Sequence, residues 1–300
     1  MNELKIVSLA CSGEGGVAKS ARNAVSLVDQ VCSEYPDLVC LPEIFAWTGI
    51  SPGEWFASSE KIGGTVSGLM AGAAARHRIN ILCPVIERSG SRIYNSLVWF
   101  DRQGKNLGVY RKTFPTDYEM ADGISPGPLD FSVFQTEFGP VGACVCFDLN
   151  FRPVIERIVR QKARLVIFPA MFEGLSLMRA WAKLCRMYFV SVSGELYASA
   201  VDPLGRVLNA PFDHGTIMIT SVNLDFAVLS TDYNKAKFPA VRKKYGAKVR
   251  IHSQDMVGSA ILFSRHPEKT AAEMVAESGL ETEADYFRRS AGIRERRLKK

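Results

Sequence analysis

The chain has 300 residues, of which 47% are hydrophobic, 23% charged and 10% aromatic. That profile excludes a disordered, collagen-like or coiled-coil polymer, and a chain of this length can bury a large core without a metal or disulfide staple. The formal charge of +6 comes from 37 Lys and Arg against 31 Asp and Glu, and the excess has an address. Between Phe287 and Lys300, Arg288, Arg289, Arg294, Arg296, Arg297, Lys299 and Lys300 face only Glu295, so residues 1–286 carry 30 charges of each sign. A balanced body argues against a nucleic-acid-binding surface and leaves a basic tail to be explained.

In chain order, the first apolar stretch, Ile6 to Cys11, is short and preceded by Glu3, so it reads as a strand and not as a signal peptide. No run of about 18 apolar residues follows anywhere, so no membrane partner is expected. Further strand-like runs are DLVCLPE (37–43), INILCPVIE (79–87), RIYNSLVWFD (92–101), VGACVCFD (141–148), RLVIFPA (164–170) and YFVSVSG (188–194), with another from Gly215 to Leu224. Helical spacing marks Val17 to Glu34, Thr65 to Arg78, Pro153 to Lys162 and Leu175 to Met187. The segment RSGSR (88–92) signals a hairpin between two of the strands, and Asp202 to Gly205 a turn. Alternating strands and helices predict an α/β fold. Residues 1–265 read as one domain and 266–300 as a C-terminal extension, helical from Thr270 to Arg289, with Gly279 a break and Thr282 a helix start.

The seven cysteines are odd in number and most lie in apolar runs, the pattern of reduced, buried thiols in a cytoplasmic protein. There is no CxxC pair or His/Cys cluster of zinc-like spacing, so a structural zinc site is not expected.

Three polar residues stand where strands end: Glu43 after DLVCLP, Lys112 past the second strand of the hairpin, and Cys146 near the close of VGACVCFD. A thiol, an amine and a carboxylate brought to one end of a sheet could carry out acyl transfer. The thiolate attacks a carbonyl carbon, the carboxylate moves the proton and the ammonium holds the oxyanion. Taken singly, each has a plainer role as a core thiol, a strand cap or a solvated lysine.

Together the blocks LVCLPEIFAWTG, YRKTFPTDYE and ACVCFDLNFRP resemble the signature blocks of the carbon–nitrogen hydrolase (nitrilase/amidase) superfamily, with 69 residues from Glu43 to Lys112 and 34 from there to Cys146. RLVIFPAMFEG, SAVDPLGRVL and SVNLDF extend the resemblance over roughly residues 4–250. It implies a four-layer α-β-β-α sandwich of two mixed sheets. It also implies a catalytic set without a cofactor: Glu43 as general base and acid, Lys112 and the backbone N–H of Phe147 at the oxyanion, and Cys146 as the nucleophile that forms a thioester. The family's second glutamate falls on Glu119. A Lys between two carboxylates keeps all three charged. The resemblance further implies a small-molecule amide substrate and a homodimer or higher homo-oligomer.

Two neighbours of the nucleophile have plainer readings. Asp148 either caps the helix beginning near Pro153 or ties down the nucleophile's turn. Cys144, two residues before Cys146 on a strand, reads as a buried spectator and not a redox partner.

The chain also departs from the family. Leu149 and Asn150 stand where related N-carbamoyl amino-acid amidohydrolases carry arginines, and Trp-Glu, usual after the nucleophile of nitrilases proper, is missing. The amide branch is therefore favoured over nitrile hydrolysis. An N-carbamoyl substrate, or an acyltransferase outcome through the same thioester, is the alternative. Trp47, Tyr118, Phe172 and Glu173 are the pocket candidates, and Arg152 reads as a solvated residue at a helix start. The basic tail reads as solvated or subunit-bridging, since it lacks the interleaved aromatics of nucleic-acid binding.

Overall fold

The structure is a computed structural model that describes residues 3–194, 198–209, 217–254 and 258–299, and the chain divides into two compact units, Leu4–Val222 and Met1–Glu3 with Asn223–Lys300. In the first unit the elements run β1 (Glu3–Leu9), α1 (Val17–Val31), β2 (Leu38–Cys40), α2 (Trp55–Ser58), α3 (Thr65–His77), β3 (Asn80–Ser89), β4 (Arg92–Phe100) and β5 (Asn106–Arg111). They continue with α4 (Asp117–Ala121), β6 (Phe134–Thr136), β7 (Gly139–Ala143), α5 (Arg152–Arg160), β8 (Leu165–Pro169), α6 (Leu175–Cys185), β9 (Tyr188–Val192), β10 (Ala200–Val201), β11 (Val207–Asn209) and β12 (Ile217–Asn223). The expected strand from Gly215 thus begins outside the described residues and is seen from Ile217.

Two six-stranded sheets result, in the orders β12-β1-β2-β3-β4-β5 and β11-β10-β9-β8-β7-β6. Both are mixed. β1, β2 and β3 are parallel, and so are β7, β8 and β9, whereas β3, β4 and β5 are joined antiparallel. The hairpin predicted at RSGSR is present, with Ser89 opposite Arg92 and Gly90 at φ 63°, the left-handed backbone that its tight turn requires.

Side-chain alternation along the strands builds the layers. Val7, Leu9, Ile81, Cys83 and Val85 turn outward, where they share one core with Ala21, Ala24 and Val28 of α1 and Val66, Met70 and Ala73 of α3. The alternate residues turn toward the second sheet: the Ser8 hydroxyl donates to the Ser191 carbonyl at 2.9 Å, and the Trp99 ring lies 5.4 Å from that of Phe134. On the far side, α5 approaches β7 so closely that a Cβ on Gly142 would sit 2.5 Å from Ile158. The layers are therefore helix, sheet, sheet, helix, as expected.

Two local expectations change. The strand expected over 141–148 ends at Ala143, and Cys146–Asn150 forms a 3-10 turn instead, so Cys144 and Cys146 are not strand neighbours on one face. Lys112 follows not the second strand of the hairpin but a third strand, β5, paired to it.

The second unit contains β13 (Phe226–Ser230), α7 (Phe238–Tyr245), β14 (Val249–Gln254), β15 (Ser259–Ser264), α8 (Ala271–Glu277) and α9 (Glu283–Leu298). Its three strands pair with one another in the order β13-β15-β14. Leu229, Ala260 and Leu262 of that sheet share a core with Phe238, Val241, Ala271 and Met274. The division between the two compact units falls near Asn223, and α8, from the segment read as a C-terminal extension, buries its apolar face on the small sheet formed just before it. The break at Gly279 (φ 59°) and the cap at Thr282 lie where the sequence puts them. No helix among the described residues is long and apolar enough to cross a membrane.

Candidate active site

Glu43, Lys112, Glu119 and Cys146 come from four different segments, and each is presented by a local device. Glu43 follows β2, and the next residue, Ile44, has φ 47°, a left-handed conformation that a β-branched residue adopts only under constraint. Cys146 itself has φ 48° and opens the 3-10 turn after β7. Strain of this kind persists where the surroundings over-determine the backbone. Here the over-determining group is Asp148. Its wholly buried carboxylate accepts from the backbone N–H of Val145 (3.0 Å) and of Phe114 (2.8 Å) and from the Tyr110 hydroxyl (2.8 Å). It ties the nucleophile's turn to β5 and the segment after it, which decides between its two expected roles. Burial pushes the Asp148 carboxyl up to about 7 against the pull of those three donors.

Lys112 lies just past β5, with its backbone N–H on the Asn95 carbonyl (2.8 Å). Its side chain is 1% exposed, and Nζ donates to Glu43 Oε1 (2.9 Å) and Glu119 Oε2 (2.7 Å). Glu119 is held by a capping box at the start of α4: its backbone N–H donates to the Thr116 hydroxyl and its Oε2 accepts the Thr116 backbone N–H (2.8 Å). Burial alone disfavours the Lys112 ammonium, but the charges of Glu43 and Glu119 outweigh it and hold its pKa above the ordinary lysine value. Burial likewise acts to raise Glu119, and Lys112 outweighs it, so the carboxyl lies below its ordinary value.

The thiol behaves differently. Burial first, and the Glu43 charge second, push Cys146 up to about 12, although Lys112 and the Met171 backbone N–H pull the other way. The resting sulfur is therefore a thiol, which could act as a nucleophile only by giving up its proton. Glu43 is the carboxylate beside it. Its Oε1 is occupied by Lys112 and Asn95, its Oε2 is buried without a partner of good hydrogen-bond geometry, and the carboxylate makes a looser contact with the thiol. A protonated thiol, a free carboxylate oxygen and a fixed cation at one point form an acyl-transfer constellation. Among the described residues no three His, Cys, Asp or Glu side chains are grouped so as to hold a metal ion.

The family description "carbon-nitrogen hydrolase" matches residues 16–231. The chain belongs to the carbon–nitrogen hydrolase family. It is 27% identical over 159 residues to N-carbamoylputrescine amidase of Arabidopsis thaliana, covering 49% of this chain and 52% of that protein. It is 33% identical over 98 residues to citrullinase of Francisella tularensis, covering 31% of this chain and 34% of that protein. These first curated relatives are thus spanned over about half of their own length or less. Omega-amidase NIT3 of Saccharomyces cerevisiae is matched more fully, at 25% identity over 71% of this chain and 77% of that protein. In fold, the chain is similar to the crystal structure of S. cerevisiae Nit3, with a TM-score of 0.64 at 19% identity over 78% of this chain and 94% of that one. A carbon–nitrogen hydrolase from Helicobacter pylori gives a TM-score of 0.64 at 18% identity over 81% and 93%.

Around this family site the four pocket candidates separate. Trp47 is wholly buried in the core beneath α1 and α3, and its indole N–H reaches the Ser58 carbonyl at 3.3 Å. Tyr118, beside Glu119, is 79% exposed. Phe172 and Glu173 are exposed on the segment after β8, with Phe172 edge-on to Phe168. That segment also supplies the Met171 N–H to the Cys146 thiol, a backbone contact for which sequence gives no signal. Phe147 is the second residue of the nucleophile's turn, its ring exposed and edge-on to Phe151. Leu149 is wholly buried, Asn150 donates to the Phe147 carbonyl at 3.0 Å, and Arg152 is 78% exposed and paired with Glu156. Asn95, which sequence reading did not single out, lies at the same point, and its amide touches both carboxylates.

Proposed function

We propose that this carbon–nitrogen hydrolase cleaves a non-peptide C–N bond of a small linear amide through a thioester on Cys146. The observation that carries the reading is the buried Glu43–Lys112–Glu119 cluster set against a protonated thiol whose neighbouring carboxylate has an oxygen to spare. Sulfur adds to the amide carbonyl carbon as Glu43 takes the thiol proton. Lys112 and the Phe147 N–H stabilise the oxyanion, and Glu119 keeps Lys112 charged and aimed. The tetrahedral intermediate collapses with loss of the amine, which receives the proton from Glu43. Water, deprotonated by Glu43, then opens the thioester and restores the thiol.

The surroundings favour an acyl part without a carboxylate bound at the nucleophile's turn. The arginines that would bind one there are replaced by a buried Leu149 and an internally bonded Asn150, while Arg152 is turned to Glu156 and solvent. Carbamoyl amides remain within this chemistry, as the name N-carbamoylputrescine amidase indicates for that relative. The test is ammonia release from a panel of linear amides and carbamoyl amides, with Cys146→Ala as the blank. Turnover abolished in that variant supports the reading, and undiminished turnover overturns it. The same panel run with added amines, followed by mass spectrometry of the products, separates hydrolysis from acyl transfer.

A further inference from the structure

We propose that Asn95 is a positioning residue for the base, coupling Glu43 to Glu119; the inference rests on the reading of Glu43 as the general base. Asn95 lies on β4 and is 1% exposed. Strand alternation places it on the face of Leu97 and Trp99, and the Lys112 backbone bonds to its carbonyl. Its Nδ2 donates one hydrogen to Glu43 Oε1 at 2.8 Å and the other to Glu119 Oε1 at 3.0 Å. Two carboxylate acceptors fix which end of the amide is nitrogen. Its Oδ1 is then buried with no partner.

An unmet buried acceptor is unfavourable, so the amide is a poor choice for stability alone. What the side chain contributes is two donors at a fixed spacing. One of them, together with Lys112, occupies Glu43 Oε1 from two directions and leaves Oε2 for the thiol proton, while the other holds Glu119 Oε1. An N–H donor also favours the ionised carboxylate, the form able to act as base. The charged and titratable groups facing this point are Glu43 after β2, Lys112 after β5, Glu119 on α4, and Cys146 and Asp148 on the nucleophile's turn.

The prediction can be read without an amide substrate. In carboxamidomethylation by iodoacetamide, sulfur displaces iodide from carbon while the thiol proton passes to Glu43. Adduct formation at the Cys146 peptide is followed by mass spectrometry across pH in the full chain. In wild type the rate rises as the base ionises. In Asn95→Leu that acid limb moves upward by about half a unit or more, since the carboxylate loses a donor. The rate at its foot then falls by about threefold or more. Asn95→Asp has the shape of asparagine but replaces the NH2 with a third acid, so its limb moves further still. A role in shape alone predicts the opposite order, with Asp the milder change. Limbs unmoved in both variants, or a larger shift in Leu than in Asp, overturn the proposal. Thermal melts identify a variant that has not folded, and Asn95→Ser, which keeps one donor and is expected to shift less than Leu, then takes its place. Glu43→Gln separates the two levels. If it leaves the wild-type limb in place, the reading of Glu43 as base fails. If it removes the limb while the Asn95 variants keep it, only the role of Asn95 fails.

Discussion

Two triads of charge in this chain mirror one another. In the site, one cation, Lys112, lies between two carboxylates, with side-chain exposures of 1%, 3% and 12%. In the second unit, one carboxylate, Glu277, lies between two cations, Lys244 at 3.0 Å and Lys269, with the Tyr245 hydroxyl as a third donor at 2.8 Å. The number of contacts is similar and the consequence is not. Water screens Glu277 and its partners, so their hydrogen bonds, that from Lys269 first, lower its carboxyl to about 2 with little effect on the rest of the molecule. Around Lys112 no solvent can replace a missing partner, so each charge is held by the others. The buried triad is thus a single chemical unit, and the exposed one is three separable residues.

Removing the central charge tests that contrast most sharply. Lys112→Met leaves two buried carboxylates facing one another, and about 3–5 kcal/mol of destabilisation is expected. Amide turnover should also be lost, and the stability deficit should shrink as pH falls and the carboxylates protonate. Thermal melts of the two proteins across pH read this directly, and a variant as stable as wild type at neutral pH would break the comparison.

A smaller effect is expected at Asp148, a buried carboxylate held by three uncharged donors. Its folded value near 7 lies above its ordinary 3.8, so the folded state keeps the proton longer than the unfolded chain. Its contribution to stability is complete below pH 4 and is lost as pH rises through 7, with a slope of at most about 1.4 kcal/mol per pH unit. Asp148→Asn should remove that slope. Identical pH profiles of unfolding for the two proteins would show that Asp148 takes up its proton alike in the folded and unfolded chain, and would overturn the effect of its burial.

The smallest effect is expected at the surface. Glu277→Gln should leave amide turnover unchanged and move the melting midpoint little. The difference should vanish in about 1 M salt, where screening acts within about 3 Å. Because the folded carboxyl lies below its ordinary value, its contribution is present above pH 4.5 and is lost as pH falls toward 2. A salt-insensitive loss comparable to that of Lys112→Met would erase the distinction between the two triads.

How far the site can be read from sequence follows the same division. Glu43, Lys112, Glu119 and Cys146 are legible because each ends an apolar run or sits in a block of distinctive residues, and the spacing between blocks is itself a pattern. Asn95 is not legible. Inside RIYNSLVWF it reads as one polar residue in a strand, and its importance comes from a register that sets it beside Lys112 and within reach of both carboxylates. Trp47 misleads in the opposite direction. Four residues from Glu43 it invites a place at the pocket, yet the left-handed turn at Ile44 sends Phe45, Ala46 and Trp47 into the core under the helices. The C-terminal boundary is also hidden, because β13, β14 and β15 look like a continuation of the preceding strands until their pairing is known.

What the sequence determined by itself is the α/β pattern, the positions of most strands and helices of the first unit, the candidate site residues and the concentration of excess charge in one tail. These depend on local periodicity and residue type, which act over a few residues. The tertiary structure decided which carboxylate oxygen is left free, why Cys146 rests as a thiol, which aromatic side chains face solvent and where one unit ends. Those depend on burial and on pairing between residues far apart in the chain, such as Lys112 with Glu43, 69 positions away. Burial and pairing set how strongly each charge is felt, and no local pattern encodes them.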